Sequence, residues 1–107
     1  MTHTTRSYRV IVSPRAFSDL DGILDYIKRQ SPANAAKVID LLWKAMQGLA
    51  QLPRRYRVVG GSRQPKHAVR RTPVSSYLVY YRIDDDQQVV RILSVWHGAR
   101  RQPKRFG

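Results

Sequence analysis

Residues Tyr77–Phe106, YLVYYRIDDDQQVVRILSVWHGARRQPKRF, decide the fold of this chain. Two runs rich in β-branched and aromatic residues, Tyr77–Ile83 and Val89–Trp96, flank the polar stretch Asp84–Gln88 and predict a β-hairpin. The second run empties into His97-Gly98-Ala99-Arg100-Arg101 and a basic tail at about residues 98–107. Strict alternation puts Tyr77, Val79, Tyr81 and Ile83 on one face of the first run and Leu78, Tyr80 and Arg82 on the other. In the second run it sets Val90, Ile92, Ser94 and Trp96 against Arg91, Leu93, Val95 and His97. Both faces are partly apolar, which predicts a central position with one face against helices and the other lining a groove. Parity alone leaves open which face is which.

Upstream, Ala68–Thr72 predicts a short strand that Pro73 interrupts, with Arg70 and Arg71 on opposite faces. Pro53–Lys66 shows no period and reads as a loop carrying Arg54, Arg55, Arg57, Arg63 and Lys66 around the Gly60-Gly61 pair. No GK[ST] follows those glycines, so they do not signal a nucleotide cradle. Earlier still, Ser13-Pro14 and Ser31-Pro32 each place a side-chain acceptor at a helix N-cap and a proline at the first helical position. The first helix, Pro14 to Gln30, carries an apolar stripe through Phe17, Leu20, Leu24 and Ile27; the second carries Ala35, Ile39, Leu42, Met46 and Leu49 and ends at Leu52-Pro53. With almost no loop between them they form an αα-hairpin. Trp43 and Trp96 are assigned to packing, with Trp43 the alternative marker of an exposed patch on the second helix. Tyr8–Val12 has strand composition.

The predicted fold is therefore α+β in the order βααβββ: an antiparallel meander with a two-helix hairpin packed on one face. The place of the first strand in the sheet is not fixed by spacing. At 107 residues the chain is expected to be a single domain over residues 1–107. Its net charge of +13 predicts acidic partners, nucleic acid or an acidic protein surface. Most of that charge lies late, about +3 up to Leu52 and +10 beyond it. There is no cysteine, hence neither disulfide nor thiolate metal site. No apolar run reaches the length of a membrane span, and Met1–Ser7 lacks the apolar centre of a signal peptide, so a soluble cytoplasmic protein is expected. Asp84-Asp85-Asp86 reads as turn chemistry, and the histidines are scattered, so no metal and no cofactor are expected.

The βααβββ order, the run YLVYYRID…VVRILSVWHGARR and the Gly61-Ser62-Arg63 approach to the second strand resemble the RelE/ParE superfamily of toxins from type II toxin–antitoxin systems. The most specific part is aromatic-x-Val-x-Tyr/Arg, a turn, then Val-x-Ile-x-x-Val-x-His-x-x-Arg. The resemblance implies a basic protein neutralised by a cognate antitoxin of the ParD or RelB kind, in a hetero-oligomer. It implies one of two activities: inhibition of DNA gyrase, as in ParE-like members, or metal-independent cleavage of messenger RNA in the ribosomal A site, as in RelE-like ones.

Cleavage needs a base, cations at the scissile phosphate and an acid. Arg70 and Arg100 match two basic positions of the RelE pattern, and His97 could serve as base or acid. Tyr77 stands where that pattern has an arginine, and the tail offers Lys104 and Phe106 where it has a tyrosine. The ending followed by a basic tail is closer to ParE-like sequences, so the resemblance favours gyrase inhibition over catalysis. Residues expected to meet target or antitoxin are Arg63, Arg70, Arg71, Tyr80, Arg82, His97, Arg100, Arg101, Lys104 and Arg105. For His97 and Arg63 the competing readings are a ring hydrogen-bonded to backbone and a loop-anchoring ion pair.

Overall fold

Both serine–proline pairs start helices as expected. In the computed structural model, which describes residues 7–61 and 67–99, Ser13 Oγ accepts from the Ala16 N–H at 3.1 Å and Ser31 Oγ from the Asn34 N–H at 3.3 Å. Each satisfies one of the donors that a helix start leaves without an internal partner. The helices are α1 (Pro14–Lys28) and α2 (Pro32–Gly48). Asp40 and Lys44, one turn apart on α2, pair at 2.9 Å while mostly exposed, which is worth a few tenths of a kcal/mol.

Five strands form one sheet: β1 (Arg9–Val12), β2 (Val58–Gly61), β3 (Ala68–Val74), β4 (Tyr77–Asp84) and β5 (Val89–His97), in the spatial order β1-β5-β4-β3-β2. The α+β class and the helix pair on one face stand, but three expectations are corrected. First, the segment expected to be only a loop contains β2, antiparallel to β3. Its glycines hid it, because they contribute no side-chain alternation. Gly61 has φ of 77°, and a Cβ there would lie 2.0 Å from the His67 carbonyl oxygen, so the backbones pass too closely for any other residue. Second, β1 lies parallel to β5 at the edge of the sheet, with Arg9 beside Val89 and Val12 beside Ile92, so the sheet is not a plain meander. Third, β3 runs through Pro73 to Val74. Partners from β2 reach only as far as Arg70, so Pro73 sits on an open edge where its missing N–H costs no ladder bond.

The β4–β5 hairpin is present, with a register shift: Tyr80 faces Ser94 while Tyr81 faces Ile92, leaving Leu93 as an inserted residue. This bulge reverses the parity of the strand beyond it. Val90 and Ile92 face the helices as one set, and so does Val95, which strict alternation had placed on the other side. Val95 joins Tyr77, Val79, Tyr81 and Ile83 in the core, together with Leu20, Leu42 and Met46. Ser94 and Trp96 therefore belong to the face away from the helices, and His97, opposite Tyr77, to the helix face. Ser94 Oγ and the Trp96 indole N–H are buried with no hydrogen-bond partner among the described residues.

α1 secures the bulged strand where β1 has ended. Ser13 Oγ donates to the Leu93 carbonyl at 3.1 Å, and the Val95 N–H donates to Asp19 Oδ2 at 2.9 Å. Two backbone groups beyond the last β1 partner are thus satisfied by side chains from the start of the chain. At the other end of the sheet, the Tyr8 hydroxyl donates to Asp85 Oδ1 at 2.8 Å, and Arg54 donates to both the Asp85 carboxylate and the Tyr8 oxygen. The Asp85 hydrogen bond and, after it, that of Tyr8 hold the Arg54 guanidinium above its ordinary pKa.

Candidate functional site

The register sorts the candidate residues onto two faces. Arg71, opposite Tyr80, and Arg82, opposite Arg91, belong to the face away from the helices with Arg9 of β1. Arg82 and Arg91 are cross-strand neighbours of like charge. Arg91 also donates to Gln87 Oε1 at 3.4 Å. Tyr80 lies in this face with only 2% of its surface exposed, so it is scaffold there rather than a stacking platform. Arg91 and Arg9 were missed in the sequence. Their signal was present, since both alternate in phase with Arg82 once the strands are paired.

Arg70 lies on the helix face, opposite Tyr81, and its guanidinium is occupied. Its Nη1 donates to the Tyr56 carbonyl at 2.6 Å and the Arg54 carbonyl at 3.2 Å, holding the short 3-10 turn Pro53–Arg55 that follows α2. The Tyr81 hydroxyl donates to the Pro53 carbonyl at 2.5 Å in the same turn. Burial pushes the Tyr81 phenol up to about 12, partly offset by the Arg70 charge. An unfolded tyrosine ionises near 10, so between about pH 10 and 12 the unfolded chain loses a proton that the folded one keeps. The Tyr81 contribution is therefore full below about pH 10 and lost as pH rises through about 12. Tyr81→Phe is expected to cost about 1 kcal/mol at neutral pH and to flatten this alkaline decline, as measured by urea unfolding across the window.

His97 closes the other end. Its Nδ1 accepts from the Ala99 N–H at 3.1 Å, which leaves the proton of the neutral ring on Nε2, and its ring meets Tyr77 edge to face at 5.3 Å between centroids. The Gly98 N–H donates to the Ser76 carbonyl at 2.7 Å, and a Cβ at Gly98 would stand 3.2 Å from that oxygen. The hydrogen-bonded ring is the structural role weighed above. Between this strand end and α1 lies a cleft of about 560 Å³, bordered by Asp19, Gly22, Tyr26, Tyr77, Trp96 and His97.

His97 and Arg70 are not brought together. They pair with Tyr77 and Tyr81 on opposite flanks of β4, about 13 Å apart along the strand and about 10 Å across it. Arg63, Arg100, Arg101, Lys104 and Arg105 lie outside the described residues. Phe17 corrects the expectation of burial: it is 50% exposed and packs beside Trp43, itself 40% exposed, at 6.4 Å. Trp43 thus takes its alternative role as part of an exposed patch across the two helices. Among the described residues no group of three His, Cys, Asp or Glu could hold a metal ion, and no helix is long and apolar enough to cross a membrane.

Comparison with known proteins places this arrangement. Residues 10–102 match the family model described as the ParE toxin of the type II toxin–antitoxin system parDE. The fold is similar to a chain of the chromosomal ParDE system from P. aeruginosa, with a TM-score of 0.67 at 20% identity over 87% of this chain and 98% of that one. It is similar to a chain of the RelBE2 complex from Mycobacterium tuberculosis, with a TM-score of 0.59 at 26% identity over 92% and 100%. A chain of the RelE–RelB complex from Pyrococcus horikoshii OT3 gives 0.64 at 16% identity over 89% and 99%. No curated protein matches in sequence.

Proposed function

The chain belongs to the ParE family of toxins from type II toxin–antitoxin systems, and from that premise we propose that it arrests growth in the cytoplasm by inhibiting DNA gyrase until a cognate antitoxin covers it. The observation that supports gyrase inhibition over RNA cleavage is the separation of two cleavage candidates, Arg70 and His97. Metal-free cleavage requires a base, an acid and cations around one phosphate. Here Arg70 is engaged with two carbonyls at one end of the helix face, and His97 stands at the other end. A toxin that acts by binding needs no such convergence. Similarity to a ParDE chain and to chains from RelB–RelE complexes supports an antitoxin partner.

The second reading, a ribosome-dependent messenger RNA endoribonuclease, is favoured by one observation: Arg71, Arg82 and Arg91 share the face away from the helices, and their charge would attract a polyanion. Induction in cells separates the two. Gyrase inhibition predicts chromosomal breaks while messenger RNA stays intact, with growth restored by co-expression of the antitoxin encoded beside the toxin. Messenger RNA cut at the A site with an undamaged chromosome would support the second reading instead.

A further inference from the structure

The cleft beside α1 differs in charge from the rest of the molecule. In a chain of net charge +13, its described lining contains no lysine or arginine. It contains the Asp19 carboxylate, and α1 carries Asp21 and Asp25 as well. One Asp19 oxygen accepts the Val95 N–H at 2.9 Å, which fixes the carboxylate in place while its second oxygen can accept from a ligand. Two of the walls are aromatic: Tyr26, which is 60% exposed, and Tyr77, which is almost fully buried. Aromatic faces and a fixed carboxylate together select a cation.

Gly22 sets the room available. A Cβ built there meets nothing within 4 Å, so neither packing nor backbone conformation requires a glycine at this point of α1. Glycine inside a helix costs about 0.5–1 kcal/mol relative to alanine, a cost that open space above the helix would explain.

We infer that this cleft receives an arginine side chain of the antitoxin, its guanidinium stacked on the aromatic walls and hydrogen-bonded to Asp19. The inference rests on the antitoxin reading above. Arginine fits better than lysine, because a planar guanidinium is weakly hydrated, stacks on rings and presents a fork of donors to a carboxylate. A toxin this basic attracts acidic partners broadly, so one seat of opposite preference gives the antitoxin its register. The exposed Phe17–Trp43 pair, also on the helix hairpin, offers apolar surface to the same partner.

Two variants and one small probe test this. Gly22→Leu fills the cleft from a position with space for the side chain, so its melting temperature should equal or exceed that of the unaltered chain. Asp19→Asn retains an acceptor for the Val95 N–H and removes only the charge. Each should weaken the purified complex with the antitoxin roughly tenfold or more. Independently of any antitoxin, Nα-acetylarginine methylamide should shift the Tyr26 and Val95 amide resonances of the unaltered chain, and neither resonance in the two variants. Antitoxin affinity unchanged in both variants overturns the inference. So do resonances that ignore the arginine probe, or that respond equally to spermidine or to a nucleoside monophosphate. If no antitoxin binds the unaltered chain, the antitoxin reading fails by itself, and the probe still decides whether the cleft takes a guanidinium.

Discussion

Gly61→Ala is expected to lower the stability of the folded chain by about 3 kcal/mol or more and to release β2 from β3. Two costs add. The backbone at Gly61 has φ of 77°, where a residue with a Cβ pays about 1–2 kcal/mol. The new methyl group would also lie 2.0 Å from the His67 carbonyl oxygen and 3.1 Å from the Val69 nitrogen, both backbone atoms. They cannot swing aside like the end of a flexible side chain, so the strands must separate. Gly48→Ala is the control, since its Cβ would meet only the Arg55 guanidinium at an ordinary 3.9 Å and should leave stability unchanged or slightly raised. Urea unfolding of both variants checks the contrast. A Gly61→Ala chain as stable as its parent would mean that the β2–β3 approach is described wrongly.

The second large effect belongs to Arg70. Arg70→Met keeps much of the apolar stem but removes the donor that holds the Tyr56 and Arg54 carbonyls, and an expected loss of about 2 kcal/mol follows from leaving them without it. Any loss of toxicity should then track the loss of folded protein. In a ribonuclease that used Arg70 on the scissile phosphate, the same change would leave stability intact and abolish activity. Thermal unfolding and growth arrest, measured on the same variant, separate a fold-holding arginine from a target-contacting one.

How much of this was legible in the sequence differs from element to element. The helix starts were readable because capping is local: serine and proline act on their own neighbours, and both caps formed where expected. The last hairpin was readable from its β-branched and aromatic runs. Its faces were not, because alternation presumes an unbroken ladder and the inserted Leu93 breaks it. One warning was present. Strict alternation grouped the polar Ser94 with Val90 and Ile92 and set the apolar Val95 apart from them, and the bulge exchanges the two. The pairing of β1 with β5 is a long-range choice that no local signal encodes.

Among site residues, Arg71 and Arg82 come onto one face only once the strand register is known, and His97 stands at the end of β5. Arg70 could not be read correctly, because its partners are carbonyls of a turn some fifteen residues earlier, and carbonyls leave no mark in a sequence. Asp19 and Gly22 were invisible for a similar reason. An aspartate and a glycine on an amphipathic helix look like ordinary exposed positions until the bulged strand is laid beside them.

The central claim, that this ParE-family toxin works by inhibiting gyrase, meets its most direct test in purified gyrase on relaxed plasmid DNA with ATP. The account predicts that adding the toxin stops supercoiling and traps DNA cleaved by gyrase, and that pre-incubation with the antitoxin prevents both. Undisturbed supercoiling with no trapped cleavage, from a toxin preparation that still arrests growth when expressed, would contradict it.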